Sequence, residues 1–478
     1  MMIFRQAVFA FVVLLLAGCA GEPVPMATID EGPADDLRAL EFAAAMSAHH
    51  LCSGMWVVGR DYQRTSDEVI DQDMRPFWNL GWRDGFEYKV DVVAKTATIS
   101  GLGVPARTAK YHGDQGCTIL PAGQTDVYFE PVAVPRGLLD ASTTDWPMGD
   151  ANALDDFEDV DRVKMESALD WALEQPHNTR SVVVVYNGKI IGERYAPGFT
   201  KDTPQISWSE GKSLTATLIG RLVHEGYLDI EDPAPVPSWH EGEDPRSQIM
   251  IKDLLRMSSG LDVVNLGLDD QASWGEANEH MRVYFDSIDV YDHMLSQPAG
   301  IPPATQWRYR NSDPLTLAWT VKQIAEENGE NFLIFPQKLL FDRLGMRSVV
   351  LEPDAWGNLI LSGYDYVSAR DWARFGLLYL QDGIWMGERL LPEGWTKFVS
   401  TPAPGEGGDG YGGLFWLNRG SARDKLPADA YWASGLMGQT TMIIPSRAMV
   451  IVRQGPSPGG TGAYINEAFA RILNSVGG

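Results

Sequence analysis

The stretch SWSEGKSLTATLIGRLVHEGYLDIEDP, residues 207–233, decides how the chain is interpreted. It places Ser209 and Lys212 at the start of a segment whose apolar residues recur at helical spacing, and Gly226 follows where a helix should end. Residues i and i+3 share one face of a helix, so the Lys212 amine can lie beside the Ser209 hydroxyl. A first helical turn also presents free backbone N–H groups and a partial positive charge. A serine beside an amine is one form of activated nucleophile.

The same Ser-x-x-Lys pattern also has a purely structural interpretation. One such match is expected by chance in a chain of about this length. Ser209 would then be a capping residue in a solvated first turn. The motif alone favours that interpretation, and the remainder of the chain has to decide between the two.

Composition excludes several classes of function. The chain has 478 residues, 44% of them hydrophobic, which predicts a globular protein with two or three structural units. A net charge of −25 argues against nucleic-acid binding, which needs a basic surface. Cysteine and histidine do not occur at zinc-ligand spacing, so no metal and no cofactor is expected.

The N-terminus predicts export and a lipid anchor. Residues 1–19 combine Arg5, an apolar core at 7–16 and the sequence Leu-Ala-Gly-Cys at 16–19, which is typical of a secretory signal and too short for a membrane span. This ending resembles the bacterial lipobox, which implies cleavage before Cys19 and lipidation of its thiol. Ala20 after the cysteine favours the outer membrane, facing the periplasm, by the usual sorting rule of such lipoproteins. An ordinary signal peptide with an incidental cysteine is the alternative.

Two further segments precede the main domain. Residues 20–35 are rich in proline and small residues and predict a tether, and residues 36–145 predict a small α+β region with a helix followed by short strands. With Cys19 lipidated, Cys52 and Cys117 remain, and in an oxidising periplasm they are expected to form a disulfide. Two buried free thiols are the alternative. The histidines of this region are interpreted as packing or surface residues: His49, His50 and His112.

Residues 150–478 predict an α+β domain. A helix at 163–175 is followed by a hairpin over 181–195 that turns at Asn187-Gly188, a strong hairpin signal. Helices are predicted at 250–261, 291–297, 313–329 and 368–383, strands after 411, and a helix at the C-terminus. The first hairpin and the last strands can form one antiparallel sheet with the terminal helices packed on it and an all-helical insert between.

Two more motifs follow the serine and lysine in chain order. Tyr309 and Asn311 stand in a loop between helices, where a tyrosine can carry a proton to a leaving group and an asparagine can orient an amine or a substrate. Gly435 and Gly438 stand at the start of a strand, where backbone N–H groups can bind an oxyanion. Neither motif is specific by itself.

Together the three motifs resemble those of the penicillin-recognising serine hydrolases, which include class C β-lactamases, DD-peptidases, family VIII esterases and 6-aminohexanoate-dimer hydrolases. Segments such as IKDLLRMSSGLD and SARDWARFGLLYLQDG are similar to the 6-aminohexanoate-dimer hydrolase branch. The resemblance implies a β-lactamase/transpeptidase-like fold, with Ser209 as nucleophile, Lys212 as its base and Tyr309 as proton relay. It further implies that Asn311 orients the site and that backbone N–H groups of Ser209 and Gln439, next to Gly438, bind the oxyanion.

One departure from the family's pattern bears on the substrate. Lactam-processing relatives have Lys-Thr-Gly or His-x-Gly on the last motif, where this chain is interpreted as Leu436-Met437-Gly438. Without that cation, a substrate carboxylate loses a charge-assisted bond of about 1.5–3 kcal/mol. Arg308 or Arg310 is the candidate replacement. Ester or amide cleavage is therefore expected ahead of β-lactamase or DD-peptidase activity.

Three rival interpretations fit the sequence less well. A Ser-His-Asp hydrolase needs a Gly-x-Ser-x-Gly turn, which is incomplete around Ser209, and none of three histidines has a suitable context: His224, His240 and His293. Metal-dependent hydrolysis lacks clustered ligands. A catalytically silent envelope-binding protein on the same scaffold is disfavoured because all three catalytic side chains are present.

Overall fold

The computed structural model describes residues 37–61, 73, 83–174, 177–264, 277–420, 422–457 and 461–477. The predicted signal peptide, Cys19 and the whole predicted tether, residues 20–35, lie outside these ranges. Among the helices within them, none combines the length and the apolar character that crossing a bilayer requires.

The N-terminal region is a helix packed on a four-stranded sheet. The antiparallel strand order is β1-β2-β3-β4. Helix α1 is buried along most of its length, and Cys52 on it forms a disulfide with Cys117, the first residue of β4. The elements are α1 Leu37–Trp56, β1 Phe86–Asp91, β2 Thr96–Gly101, β3 Val104–Tyr111 and β4 Cys117–Ile119.

The main domain begins with a helix and the predicted hairpin. Asp161 caps the helix by accepting a hydrogen bond from the Lys164 N–H. Asn187 and Gly188 have φ values of 47° and 83°, as a two-residue hairpin turn requires. The elements are α2 Arg162–Ala172, β5 Ser181–Tyr186, β6 Lys189–Tyr195, β7 Gln205–Ile206 and α3 Gly211–His224.

A helical insert with a small sheet follows. A helix was predicted over 250–261, but the observed helix is only Ile251–Leu255, because the chain turns at Met257 with a positive φ of 50°. The elements are α4 Ile251–Leu255, α5 Glu279–Phe285, α6 Val290–Leu295, α7 Ser312–Glu327, α8 Asp342–Leu344, β8 Val350–Leu351, β9 Asp365–Val367, α9 Ala369–Leu380, β10 Ile384–Trp385, β11 Glu388–Arg389 and α10 Trp395–Val399. Strand β9 lies between β7 and β8 in a three-stranded sheet.

The chain closes with four strands and a helix. Strand β12 covers two residues of the first segment that is predicted as strand after 411, and β13 was not predicted, since its sequence YWASG is short and ends in glycine. The elements are β12 Trp416–Leu417, β13 Tyr431–Gly435, β14 Gln439–Ile444, β15 Met449–Gln454 and α11 Thr461–Leu473.

A six-stranded sheet forms the centre of the main domain. Its order is β12-β13-β14-β15-β5-β6, and each neighbouring pair is antiparallel. Alternate residues of β5 enter two separate cores: Val182 and Val184 pack with α2 and α11, while Val183 and Val185 pack on the side of α3 and α9. A strand covered on both faces is apolar at every position, which explains the run of four valines.

The N-terminal region is joined to the main domain by buried polar contacts. Glu352, next to β8, accepts hydrogen bonds from the Ser53 hydroxyl at 2.7 Å and the Cys117 N–H at 2.8 Å. Its other carboxylate oxygen lies 2.7 Å from Nε2 of His49. His49 stacks on Tyr364 and His50 lies against Trp208, so both are packing residues, as predicted. Helix α1 therefore contacts the segment that carries Ser209.

Candidate active site

Ser209 and Lys212 lie together at the N-terminal end of α3. Ser209 is in a 3₁₀ turn, Trp208–Glu210, that leads directly into the helix. The i,i+3 spacing brings Lys212 Nζ to 3.0 Å from Ser209 Oγ. Trp208, immediately before the serine, has a positive φ of 52°, a conformation that non-glycine residues rarely adopt and that often occurs at active sites.

The Lys212 amine is removed from solvent. The side chain is 1% exposed, and Nζ donates a hydrogen bond of 2.8 Å to the carbonyl of Ser362. Burial lowers the pKa of Lys212 to about 7, while the negative charge of Asp365 acts in the opposite direction. A lysine with this pKa is substantially neutral at pH 7 and can accept a proton from Ser209.

Tyr309 is brought to the same point from the loop before α7. Lys212 Nζ lies 5.1 Å from the centre of the Tyr309 ring. The ring is held against Trp416 and Tyr411, with centroid distances of 5.6 and 5.9 Å. Burial raises the pKa of Tyr309, and its interaction with the Ser209 hydroxyl opposes that rise. The tyrosine therefore stays protonated near neutral pH, which suits a group that passes a proton on.

Asn311 belongs to a hydrogen-bonded chain behind these three residues. Its Oδ1 accepts from the Tyr284 hydroxyl, and its Nδ2 lies near Nδ1 of His280, each at 3.2 Å. The Tyr284 hydroxyl is also 3.0 Å from the Ser362 carbonyl that accepts from Lys212. Asn311 is thus linked to the Lys212 amine through two intermediates.

His280 and Tyr284 are functional-site neighbours that were not predicted from the sequence. They lie one helical turn apart on α5, a helix that was not predicted, and their spacing of four residues was the available signal. Burial and the nearby Lys212 charge lower the pKa of His280 to about 3, so its ring is neutral and can accept the amide proton of Asn311.

The glycine-rich motif approaches from the end of β13. At Gly435, an added Cβ would lie 1.9 Å from the carbonyl oxygen of Ser207, so the backbone there touches the segment that carries Ser209. Gly438 has a φ of 88°, and its added Cβ would lie 2.9 Å from Nη1 of Arg453. The glycine packed against the serine segment is therefore Gly435.

Gln439 and Arg453 hold the loop from behind. The Gln439 side chain donates to the Gly455 carbonyl at 3.0 Å and accepts from the Gly455 N–H at 2.9 Å. Buried Arg453 donates through Nη1 to the carbonyls of Met437 and Gly438, at 3.2 and 3.1 Å. Both side chains join the loop to β15.

The two arginines considered as replacement cations have other partners. Arg308 donates through Nε to Gln306 at 2.9 Å. Arg310 is 2% exposed, and its charge acts on the carboxyl of Asp313. The histidines considered for a triad lie elsewhere: His224 is exposed at the far end of α3, His240 contacts the Ala234 carbonyl and His293 contacts Glu279. No cluster of metal-binding side chains occurs within the ranges that the structure covers.

Comparison with known proteins identifies the family. The profile of the Beta-lactamase family matches residues 172–466, more than half of the chain. The chain belongs to the Beta-lactamase family. Its fold is the β-lactamase/transpeptidase-like fold that the resemblance implied, and it is an enzyme of the serine hydrolase class.

Relatives of this Beta-lactamase family member carry several hydrolase names. The 6-aminohexanoate-dimer hydrolase of Paenarthrobacter ureafaciens is 24% identical over 298 residues, which are 59% of this chain and 73% of that protein. A solved Bacillus anthracis structure, provisionally named as a 6-aminohexanoate-dimer hydrolase, aligns with a TM-score of 0.56 and 22% identity over 72% of this chain and 90% of its own. A family VIII carboxylesterase aligns at 0.50 and 13%, over 66% and 97%.

Proposed function

We propose that this Beta-lactamase family member cleaves an ester or amide bond through an acyl-enzyme on Ser209. The observation that carries the proposal is the 3.0 Å approach of Lys212 Nζ to Ser209 Oγ in a buried environment. Lys212 accepts the Ser209 proton, and Ser209 Oγ attacks the carbonyl carbon. Tyr309 passes the proton to the leaving group, and water then hydrolyses the acyl-enzyme.

Backbone N–H groups around Ser209 and the Gly435–Gln439 loop are proposed to bind the oxyanion. A first helical turn presents unbonded N–H groups, and Gly435 lets the loop approach the serine segment closely. Asn311, Gly438 and Gln439 are proposed to keep this arrangement in place, since their side chains and backbone contact the residues behind the site.

Uncharged esters and linear amides are proposed as the substrate class. By sequence, Leu436-Met437-Gly438 stands where lactam-processing relatives have a motif with lysine or histidine. If Gly435 is taken as the motif glycine instead, the triplet is Ala433-Ser434-Gly435. Neither triplet contains a cation, so this loop has no side chain to pair with a lactam's carboxylate. The Paenarthrobacter ureafaciens relative is named for the 6-aminohexanoate dimer, a linear amide with a free carboxylate, so comparing its turnover with that of an uncharged amide tests whether the missing cation matters.

Labelling and turnover by purified protein test the proposal. Wild-type protein is expected to react with a fluorophosphonate at Ser209 and to hydrolyse p-nitrophenyl acetate or a short amide faster than nitrocefin. Ser209→Ala should abolish both reactions, whereas Ser213→Ala, one turn further along α3, should retain labelling. Faster turnover of nitrocefin would favour the β-lactamase or DD-peptidase alternative. Absence of labelling and of all turnover would favour a silent binding protein.

We also propose that the protein is anchored in the outer membrane by a lipid on Cys19 and faces the periplasm. Support comes from the LAGC sequence and from the Cys52–Cys117 disulfide, which is typical of proteins in oxidising compartments. The full-length protein should partition into detergent and carry acyl chains on the peptide that begins at Cys19. Cys19→Ala should remove both properties, and a wild-type protein without acyl chains would contradict the anchor.

A further inference from the structure

The two residues between Ser209 and Lys212, Glu210 and Gly211, are both buried. Gly211 has ordinary helical angles, φ −54° and ψ −27°, which any residue can adopt. An added Cβ there would lie 2.2 Å from Oδ1 of Asp365. A larger residue at position 211 would collide with the Asp365 carboxyl, so glycine is needed there because of its neighbour and not because of its own backbone angles. Glycine is otherwise a poor helix former.

Asp365 is placed by the strand that supports the serine segment. It is the first residue of β9, which pairs with β7, and its carbonyl accepts a hydrogen bond of 2.9 Å from the Ser207 N–H. The side chain is fully buried. Ser362, three residues earlier, provides the carbonyl that accepts from Lys212. One short segment therefore approaches the catalytic base with both a backbone dipole and a carboxyl group.

Asp365 and Lys212 act electrostatically on each other. The cation that stabilises the ionised Asp365 carboxyl is Lys212, and the anion that stabilises protonated Lys212 is Asp365. Burial raises the pKa of Asp365 to about 7 and lowers that of Lys212 to about 7, so near neutrality the charge of each group depends on the charge of the other. Charge interactions are strong here because burial removes the screening by water.

The other titratable groups around the pair are identifiable. Tyr309, Tyr284 and His280 approach from the loop before α7 and from α5, and His280 is neutral. Glu352 acts on Asp365 with the same sign of charge, and burial together with the charge of Asp365 keeps the pKa of Glu210 well above its ordinary value. Asp365 is thus the carboxylate available to balance a charge on Lys212.

We propose that Asp365 is a positioning residue that balances the ammonium formed when Lys212 accepts the Ser209 proton. This inference rests on the proposed serine hydrolase function. In the acylation step the Ser209 O–H bond breaks, its proton binds the lone pair of Lys212 Nζ, and the Oγ–carbon bond forms. The bond between the carbonyl carbon and the leaving group breaks, and Tyr309 gives its proton to the leaving group. Lys212 then supplies Tyr309 with a replacement proton. Asp365 neither gains nor loses a proton in the step.

The test is the pH dependence of kcat/KM for p-nitrophenyl acetate in Asp365→Asn, a variant of the same shape without the charge. Removing a negative charge near Lys212 makes the amine easier to deprotonate. The acid limb of the profile should therefore move to lower pH by about one unit. The maximal value should fall roughly tenfold, since the base is weaker. The pH dependence of fluorophosphonate labelling should shift in the same direction.

Two further variants separate this role from a structural one. Asp354→Asn removes another buried carboxyl, which bonds to the Val290 N–H and Asn358, and should leave the acid limb where it is in the wild type. Gly211→Ala should lower both activity and thermal stability, and Gly211→Ala combined with Asp365→Ala should recover stability but not activity.

The outcomes distinguish the two proposals. A wild-type protein that is not labelled at Ser209 would overturn the proposed function itself. A labelled, folded Asp365→Asn with the wild-type acid limb would overturn the role of Asp365 alone. A shift that also occurs in Asp354→Asn would equally overturn it, because the effect would then not be local to Lys212.

Discussion

The two halves of the candidate site differ in how far apart along the chain their parts lie. Ser209 and Lys212 are three residues apart on one helical end, and their contact follows from helix geometry alone. The Gly435–Gln439 loop reaches the same place only after β13, β14 and β15 have paired, so its position depends on strand register. The first half is predictable from spacing, whereas the second depends on the whole sheet.

The largest effect is expected in the local half of the site, which Ser209 and Lys212 form. Lys212→Met keeps the length of the side chain but removes the proposed base, so kcat/KM for an ester should fall by roughly 10³-fold. The matched control is Lys252→Met on α4, where the lysine is partly exposed and paired with Glu231. Steady-state kinetics of both variants provide the measurement. A Lys212→Met protein with near-normal turnover would remove the basis for assigning the base.

The loop half is tested by a pair of glycine variants. Gly435→Ala places a methyl group against the Ser207 carbonyl, so we expect the serine segment to shift and kcat/KM to fall by about 10²-fold. Gly438→Ala places a methyl group against the buried guanidinium of Arg453 at a residue with a positive φ, so it should lower the melting temperature and reduce activity less. If Gly438→Ala is the more damaging to activity of folded protein, the loop register inferred from Gly435 is wrong.

The sequence predicted the fold and the helical half of the site for physical reasons. Helical periodicity, the Asn187-Gly188 turn and the order of the three motifs are local or sequential features, and they indicated the sheet and the helical insert correctly. The Ser209–Lys212 contact needed only the rise of one helical turn. The approach of Tyr309 depended on the resemblance to a family, because a loop's destination cannot be read from its own residues.

The features that sequence did not reveal all depend on distant segments. Strand β13 is short and ends in glycine, so it lacks the alternation that identifies strands. The contacts of His280 and Tyr284 with Asn311 cross between helices, and Asp365 joins the site through a three-residue strand. Their positions follow from tertiary packing, for which a single sequence contains no periodic signal.

The pH dependence of kcat/KM reports the environment of Lys212 directly. Burial lowers the pKa of Lys212 to about 7, so below that pH the amine is protonated and cannot accept the Ser209 proton. We expect kcat/KM to rise through pH 7 and to fall about tenfold for each unit below it. A solvent-exposed lysine, with its pKa of about 10.4, would place this limb three units higher. A limb near pH 10 would show that the buried environment of Lys212 does not set its protonation.

The smallest effect on catalysis is expected in the N-terminal region, which differs from both halves of the site in contributing no proposed catalytic side chain. Its disulfide links Cys52 and Cys117, which are separated by 65 residues. His50, two residues before Cys52 on helix α1, contacts Trp208 in the serine segment. Replacing both cysteines by serine should lower the free energy of unfolding by about 2–4 kcal/mol, because the unfolded chain gains freedom. Denaturant titration and ester kinetics at 25 °C measure the two consequences separately. Activity should stay within about twofold of the wild type, since the site's own hydrogen bonds are unchanged. A large loss of activity in a folded double variant would show that helix α1 positions Ser209.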